Sequence, residues 1–172
     1  MRRRLLATLA ALLVIAFVVV VRASSKSDSV EEDSISHLET SALGRLPLPP
    51  PKPRFTRTTY AASDLDGALP LLDKCKGPVA VLLGADRPVL IAEHDYCGGS
   101  AWMSKVKVGD AVKIGGDGVD DGIFVVTSLA YETRKEVTVG DLPVADAVLQ
   151  TCVTKTKLVL VALDRFDPML QS

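Results

Sequence analysis

Ala147-Val148-Leu149-Gln150-Thr151-Cys152 is a short apolar run that ends on a thiol. A run of this length bounded by turn residues reads as a buried strand. Further runs of the same kind lie along the chain: Val79 to Leu83, Val89 to Ala92, Ala111 to Ile114, Ile123 to Thr127, Glu136 to Val139 and Leu158 to Leu163. They are separated by Gly84-Ala85-Asp86-Arg87-Pro88, Gly98-Gly99, Gly115-Gly116-Asp117-Gly118 and Gly140-Asp141-Leu142-Pro143, each a turn signal. This spacing predicts a mainly β domain, a small barrel or sandwich with little helix. Asp64 to Leu72 is read as a short helix or turn, weakened by Gly67 and Pro70.

The apolar run Val89 to Ala92 leads to His94, so one strand ends near an imidazole and another on a sulfur. Only folding can bring the two together, and that is how a cysteine nucleophile acquires its proton-transfer partner. The competing reading makes His94 a hydrogen-bonded structural residue and Cys152 a small buried apolar side chain. His37, the other histidine, lies in an acidic stretch and is a poor candidate.

Upstream of the strands the composition changes twice. Arg2-Arg3-Arg4 precedes an uncharged apolar run of 17 residues, Leu5 to Val21. Residues 1–23 are therefore read as a single-pass transmembrane anchor with the rest of the chain extracytoplasmic, a cleaved signal peptide being the competitor. Residues 24–57 read as a spacer: Ser and acidic residues come first, then five prolines in the eight residues Leu46 to Pro53. The folded domain is placed at 58–172. Without Arg2, Arg3, Arg4 and Arg22 the chain has 16 basic and 21 acidic residues, a balance of −5 that argues against nucleic acid as a partner.

Three cysteines, Cys75, Cys97 and Cys152, leave at least one unpaired within the chain. A Cys75–Cys97 bridge would leave Cys152 free; all three being reduced is the other reading. Without a C-x-x-C motif, a redox role for Cys152 has no support. Asp117, Asp120 and Asp121 lack the spacing of an EF-hand and read as a solvated turn, so neither metal nor cofactor is expected. Trp102 reads as a core or rim residue, and Glu93 and Asp95, alternating with His94, point away from the face it uses.

Thr151-Cys152 after Ala147-Val148-Leu149-Gln150 resembles the strand-ending Thr-Leu-x-Thr-Cys signature of sortases, the cysteine transpeptidases anchored outside Gram-positive cells. Ile91-Ala92-Glu93-His94 resembles the element that supplies the sortase histidine, with Glu93 where glycine is usual. Met103-Ser104-Lys105-Val106-Lys107-Val108-Gly109-Asp110-Ala111-Val112 resembles the family's connection from the histidine segment to the next strand, and the interval of 58 residues from His94 to Cys152 also fits. His94-Asp95-Tyr96-Cys97-Gly98-Gly99 is similar to a sortase-like subgroup of actinobacteria or their phages.

The resemblance implies a sortase-like closed β-barrel of about seven or eight short strands. Cys152 would form a thioacyl intermediate with a C-terminal sorting signal on a surface protein, and His94 would move the proton. The acyl group would pass to an amine of a peptidoglycan precursor or pilin. The family's third group is an arginine early on the strand after the cysteine, and alignment of the apolar runs puts Lys157 there. Arg165 would lie about 26 Å further along a strand. An arginine arriving from elsewhere, such as Arg134, is also open, since lysine does not reproduce the guanidinium fork. Lys157 and Glu93 together motivate the alternative, a sortase-fold surface-binding module with weakened or lost catalysis.

Overall fold

The computed structural model describes residues 48–169. The anchor at 1–23 and the spacer up to residue 47 lie outside the described residues, and among the described residues no helix is long and apolar enough to cross a membrane. In chain order the elements are β1 (Phe55–Thr59), β2 (Ala61–Ser63), α1 (Leu65–Leu72), β3 (Val79–Val81), β4 (Val89–Ala92), a 3-10 turn (Asp95–Cys97), α2 (Gly99–Trp102), a second 3-10 turn (Met103–Lys105), β5 (Ala111–Gly116), β6 (Val119–Thr133), a third 3-10 turn (Val139–Asp141), β7 (Ala147–Cys152) and β8 (Lys157–Arg165). All eight strands form one sheet in the order β1-β5-β6-β8-β7-β4-β3-β2.

The two edge strands, β1 and β2, are consecutive in the chain and joined by Tyr60 alone, so the sheet must curl until its edges approach. Gly118, in the β5–β6 turn at φ +74°, sits against β2 and β3: a Cβ there would lie 2.7 Å from that of Ala62 and 3.0 Å from that of Ala80. The barrel is nearly closed rather than closed as expected, because β1 and β2 are not paired and the Tyr60 N–H turns instead to Pro78 O (3.1 Å).

Two apolar layers hold the sheet. Ile91, Trp102, Met103, Leu149, Val159 and Val161 belong to the inner core. Leu90, Ala92, Val148, Leu158 and Leu160 point the other way and are covered by Ala68 of α1, with Leu72, Val137 and Leu142 packed alongside. The central strands β4, β7 and β8 are thus apolar on both faces, which is why they read as continuous hydrophobic runs rather than alternating ones. Helix α1 starts at Asp64, whose side chain accepts the Gly67 N–H (2.8 Å), and it tolerates Pro70 in its interior.

Three differences from the sequence reading stand out. β1 begins at Phe55, inside the stretch read as spacer, and pairs in parallel with β5. Glu136 to Val139 is not a strand, because Thr138 and Asp141 form a capping box that turns the chain into the third 3-10 turn: Asp141 Oδ2 accepts the Thr138 N–H (2.8 Å). β6 runs for 15 residues, well past Ile123 to Thr127, with a register shift between Val126 and Ser128 where it pairs with β8.

Candidate active site

β4 and β7 are neighbours and parallel, with Val89 opposite Ala147 and Ala92 opposite Gln150. The Glu93 N–H donates to Gln150 O (3.2 Å), so the register continues one residue past the end of β4. Equivalent positions on parallel strands share a face, and alternation then decides the rest. Glu93 and Thr151 turn inward and are buried. His94 and Cys152 follow them at the same pole, on the outer side with Ala92, and each is half-buried.

The inward pair keeps this junction rigid. Trp102 Nε1–H donates to Glu93 Oε2 (2.7 Å), which gives a buried carboxylate a partner and explains an acidic residue where the chain would otherwise bury none. Gly99, the first residue of α2, lies against both strand ends: a Cβ there would fall 2.5 Å from Glu93 O and from Thr151 Oγ1, and 3.0 Å from His94 O. Its own N–H donates to His94 O (3.0 Å). Only glycine fits between the two strand ends.

On the outer side, His94 Nε2 lies 3.1 Å from Asp73 Oδ1, and the Tyr96 hydroxyl donates to the same oxygen (3.3 Å). The Tyr96 ring is stacked on the imidazole, with centroids 4.7 Å apart and planes at 16°. Cys75 and Cys97 form a disulfide with Cα atoms 4.9 Å apart, and Cys152 is free. Asp73 precedes Cys75 by two residues and His94 precedes Cys97 by three, so the bridge ties the end of α1 to the turn after His94. Cys75 has φ 51°, a left-handed conformation that a Cβ disfavours.

Burial pushes the Cys152 thiol above the ordinary cysteine range; the charge of Arg134 acts in the opposite sense and that of Asp95 adds to the rise. Arg134 is the first residue beyond β6, and its N–H donates to Thr156 O (2.9 Å) while Nη1 donates to Lys155 O (3.4 Å). It therefore borders the β7–β8 turn that follows Cys152. Lys157 is exposed at the start of β8 opposite Thr133, whereas the residue paired with Cys152 is Leu158. Alternation thus assigns Leu158 to the Cys152 face and Lys157 to the other. The sequence reading put Lys157 at the cation position and left Arg134 open; Arg134, from the end of β6, is the cation whose charge acts on the Cys152 thiol. Among the described residues no group of three or more His, Cys, Asp or Glu side chains could hold a metal.

The sequence reading passed over Asp73. Its only signal was indirect, since pairing Cys75 with Cys97 brings Asp73 to His94. Trp102 is a core residue, and Glu93 serves it.

No protein-family model matches the chain, and no curated protein matches it significantly. Among solved structures, sortase C from Clostridium perfringens SM101 is similar, with a TM-score of 0.41 and 19% identity over 63% of this chain. The match spans 62% of that protein, a little under two thirds of its length.

Proposed function

We propose that the chain is a sortase-like cysteine transpeptidase: Cys152 attacks a peptide carbonyl, His94 manages the proton, and Arg134 faces the developing oxyanion. The observation that supports this reading is the parallel β4–β7 register, with His94 two residues beyond Ala92 and Cys152 two beyond its partner Gln150, while the other two cysteines are bridged to each other. The Thr151-Cys152 ending adds to it. A raised thiol pKa means that Cys152 is protonated at neutral pH, so attack requires a base alongside. His94 accepts that proton, then delivers it to the departing amine as the tetrahedral intermediate collapses to the thioester. An incoming amine gives its proton back and takes the acyl group.

On this reading the peptide is a C-terminal sorting signal on a surface protein and the acceptor is a cell-wall or pilin amine. The apolar run Leu5 to Val21 would anchor the chain in the membrane, with the residues between it and β1 as a spacer. The domain would then face an oxidising exterior, which suits the Cys75–Cys97 bridge. Lys157, exposed on the neighbouring strand, is assigned to peptide binding at the edge of the site rather than to the oxyanion.

A thiol-reactive probe at neutral pH, followed by a peptide library supplied with hydroxylamine as acceptor, tests the assignment. Cys152 should label and hydroxamate products should form. His94→Ala should cut both by about 10²-fold or more. An inert thiol whose labelling ignores His94→Ala would sink the enzyme reading. The binding module on the same scaffold would then be the reading left standing.

A further inference from the structure

Resting on the proton role just given to His94, we propose that Asp73 is a positioning residue for that histidine and that the Cys75–Cys97 disulfide is the clamp that keeps it in place. Two contacts, from His94 Nε2 and the Tyr96 hydroxyl, converge on one carboxylate oxygen. An ionised carboxylate only accepts, so the 3.1 Å contact from His94 requires the proton on Nε2. Nδ1 is then the ring atom left to exchange a proton at the site. Tyr96 donates to the same Oδ1 and stacks on the ring, which fixes the imidazole plane as well as one edge. Asp73 caps the C-terminus of α1 two residues before Cys75, and the bridge to Cys97 joins that segment to the turn after His94.

The arrangement is not a core requirement of the fold. The Asp73 side chain is 67% exposed and the His94 side chain 21%, so truncating the carboxylate leaves no cavity. Asp66, exposed on the first turn of the same helix, provides a charge-matched control.

The test is the ¹H–¹⁵N correlation of the imidazole N–H in ¹⁵N-labelled protein at pH about 8.5, above the ordinary histidine range. His94→Ala assigns the signal, and the backbone amide spectrum reports folding of each variant. A hydrogen-bonded Nε2–H resonance should be present in the wild type and in Asp66→Ala. It should be lost in Asp73→Ala and on reduction with a phosphine. Its persistence in folded Asp73→Ala, or its absence from the wild type, would overturn the proposal. If acyl transfer is measurable, Asp73→Ala should lower kcat by about 10 to 100-fold with KM little changed. A protein that displays the resonance but transfers no acyl group keeps the positioning and loses the transpeptidase reading, so the two ideas fail separately.

Discussion

At the pole where β7 begins, Arg165 is tied into the fold. Its Nη2 donates to Asp120 O (2.9 Å), its guanidinium lies 5.4 Å from the centroid of the Phe124 ring, and its backbone N–H donates to Asp146 Oδ2 (2.7 Å). With Val89, Phe124 and Ala147 it lines a cleft of about 300 Å³. At the opposite pole, the Arg134 backbone N–H donates to Thr156 O (2.9 Å), its guanidinium makes a long contact to Lys155 O (3.4 Å), and its charge acts on Cys152. Both are arginines at strand ends on the surface of one barrel. One closes a structural joint, and the other brings its charge to bear on a thiol.

The sharpest way to break that comparison is to remove each guanidinium in turn. Arg134→Ala should lower acyl transfer by about 10² to 10³-fold, the loss seen when one oxyanion donor goes, with little change in the urea midpoint. Arg165→Ala should do the reverse, costing about 1 kcal/mol of stability through its ring and backbone contacts and leaving transfer intact. Lys157→Ala should resemble neither, with an effect within about 1 kcal/mol on both measures. If Lys157→Ala instead abolishes transfer and Arg134→Ala spares it, the sequence alignment located the cation better than the geometry does.

That contest also marks how far the sequence could be read. β4, β7 and β8 were visible because strands with apolar residues on both faces announce themselves as unbroken runs. β1 was not: Phe55-Thr56-Arg57-Thr58-Thr59 is an edge strand after a proline tract, and its Arg57 packs over Trp102 (5.1 Å) instead of showing as an apolar position. Val137 and Val139 suggested a strand, but the local capping box outweighs their propensity. His94 and Cys152 could be chosen because each ends a recognisable strand. Arg134 could only be named as one open possibility and Asp73 was passed over, since their places depend on the β6–β8 register and on a disulfide, neither of which has a local pattern.

Next in size is the disulfide, which belongs to the His94 pole alone. Its partners are 22 residues apart, and a loop of that length contributes about 3 kcal/mol. Urea unfolding with and without a phosphine should reveal a loss of that order. Hydrogen exchange should then rise around residues 73–75 and 93–99 while the Arg165 pole stays protected. Uniform loosening of both poles would mean that they are not separable units.

Gly99 tests the junction between the two strand ends. A methyl group there must displace Glu93 O, Thr151 Oγ1 or His94 O, so Gly99→Ala should cost about 1 to 3 kcal/mol and lower Cys152 reactivity at the same time. A variant that loses stability but labels normally would show that His94 and Cys152 hold their alignment without the tight contact at α2.

The smallest effect expected, a few-fold, concerns the charges around the sulfur. Burial raises the Cys152 pKa first, Arg134 opposes the rise and Asp95 adds to it. The thiolate is the reactive form, so labelling should increase with pH through and beyond the ordinary cysteine range. Removing a group that raises the pKa moves the profile to lower pH, and removing one that lowers it moves the profile up. Asp95→Asn should therefore label faster than wild type at neutral pH, and Arg134→Ala slower. If the two variants shift the profile in the same direction, the charges of these side chains do not reach the sulfur, and the contrast with Arg165 would have to rest on hydrogen bonding to the substrate alone.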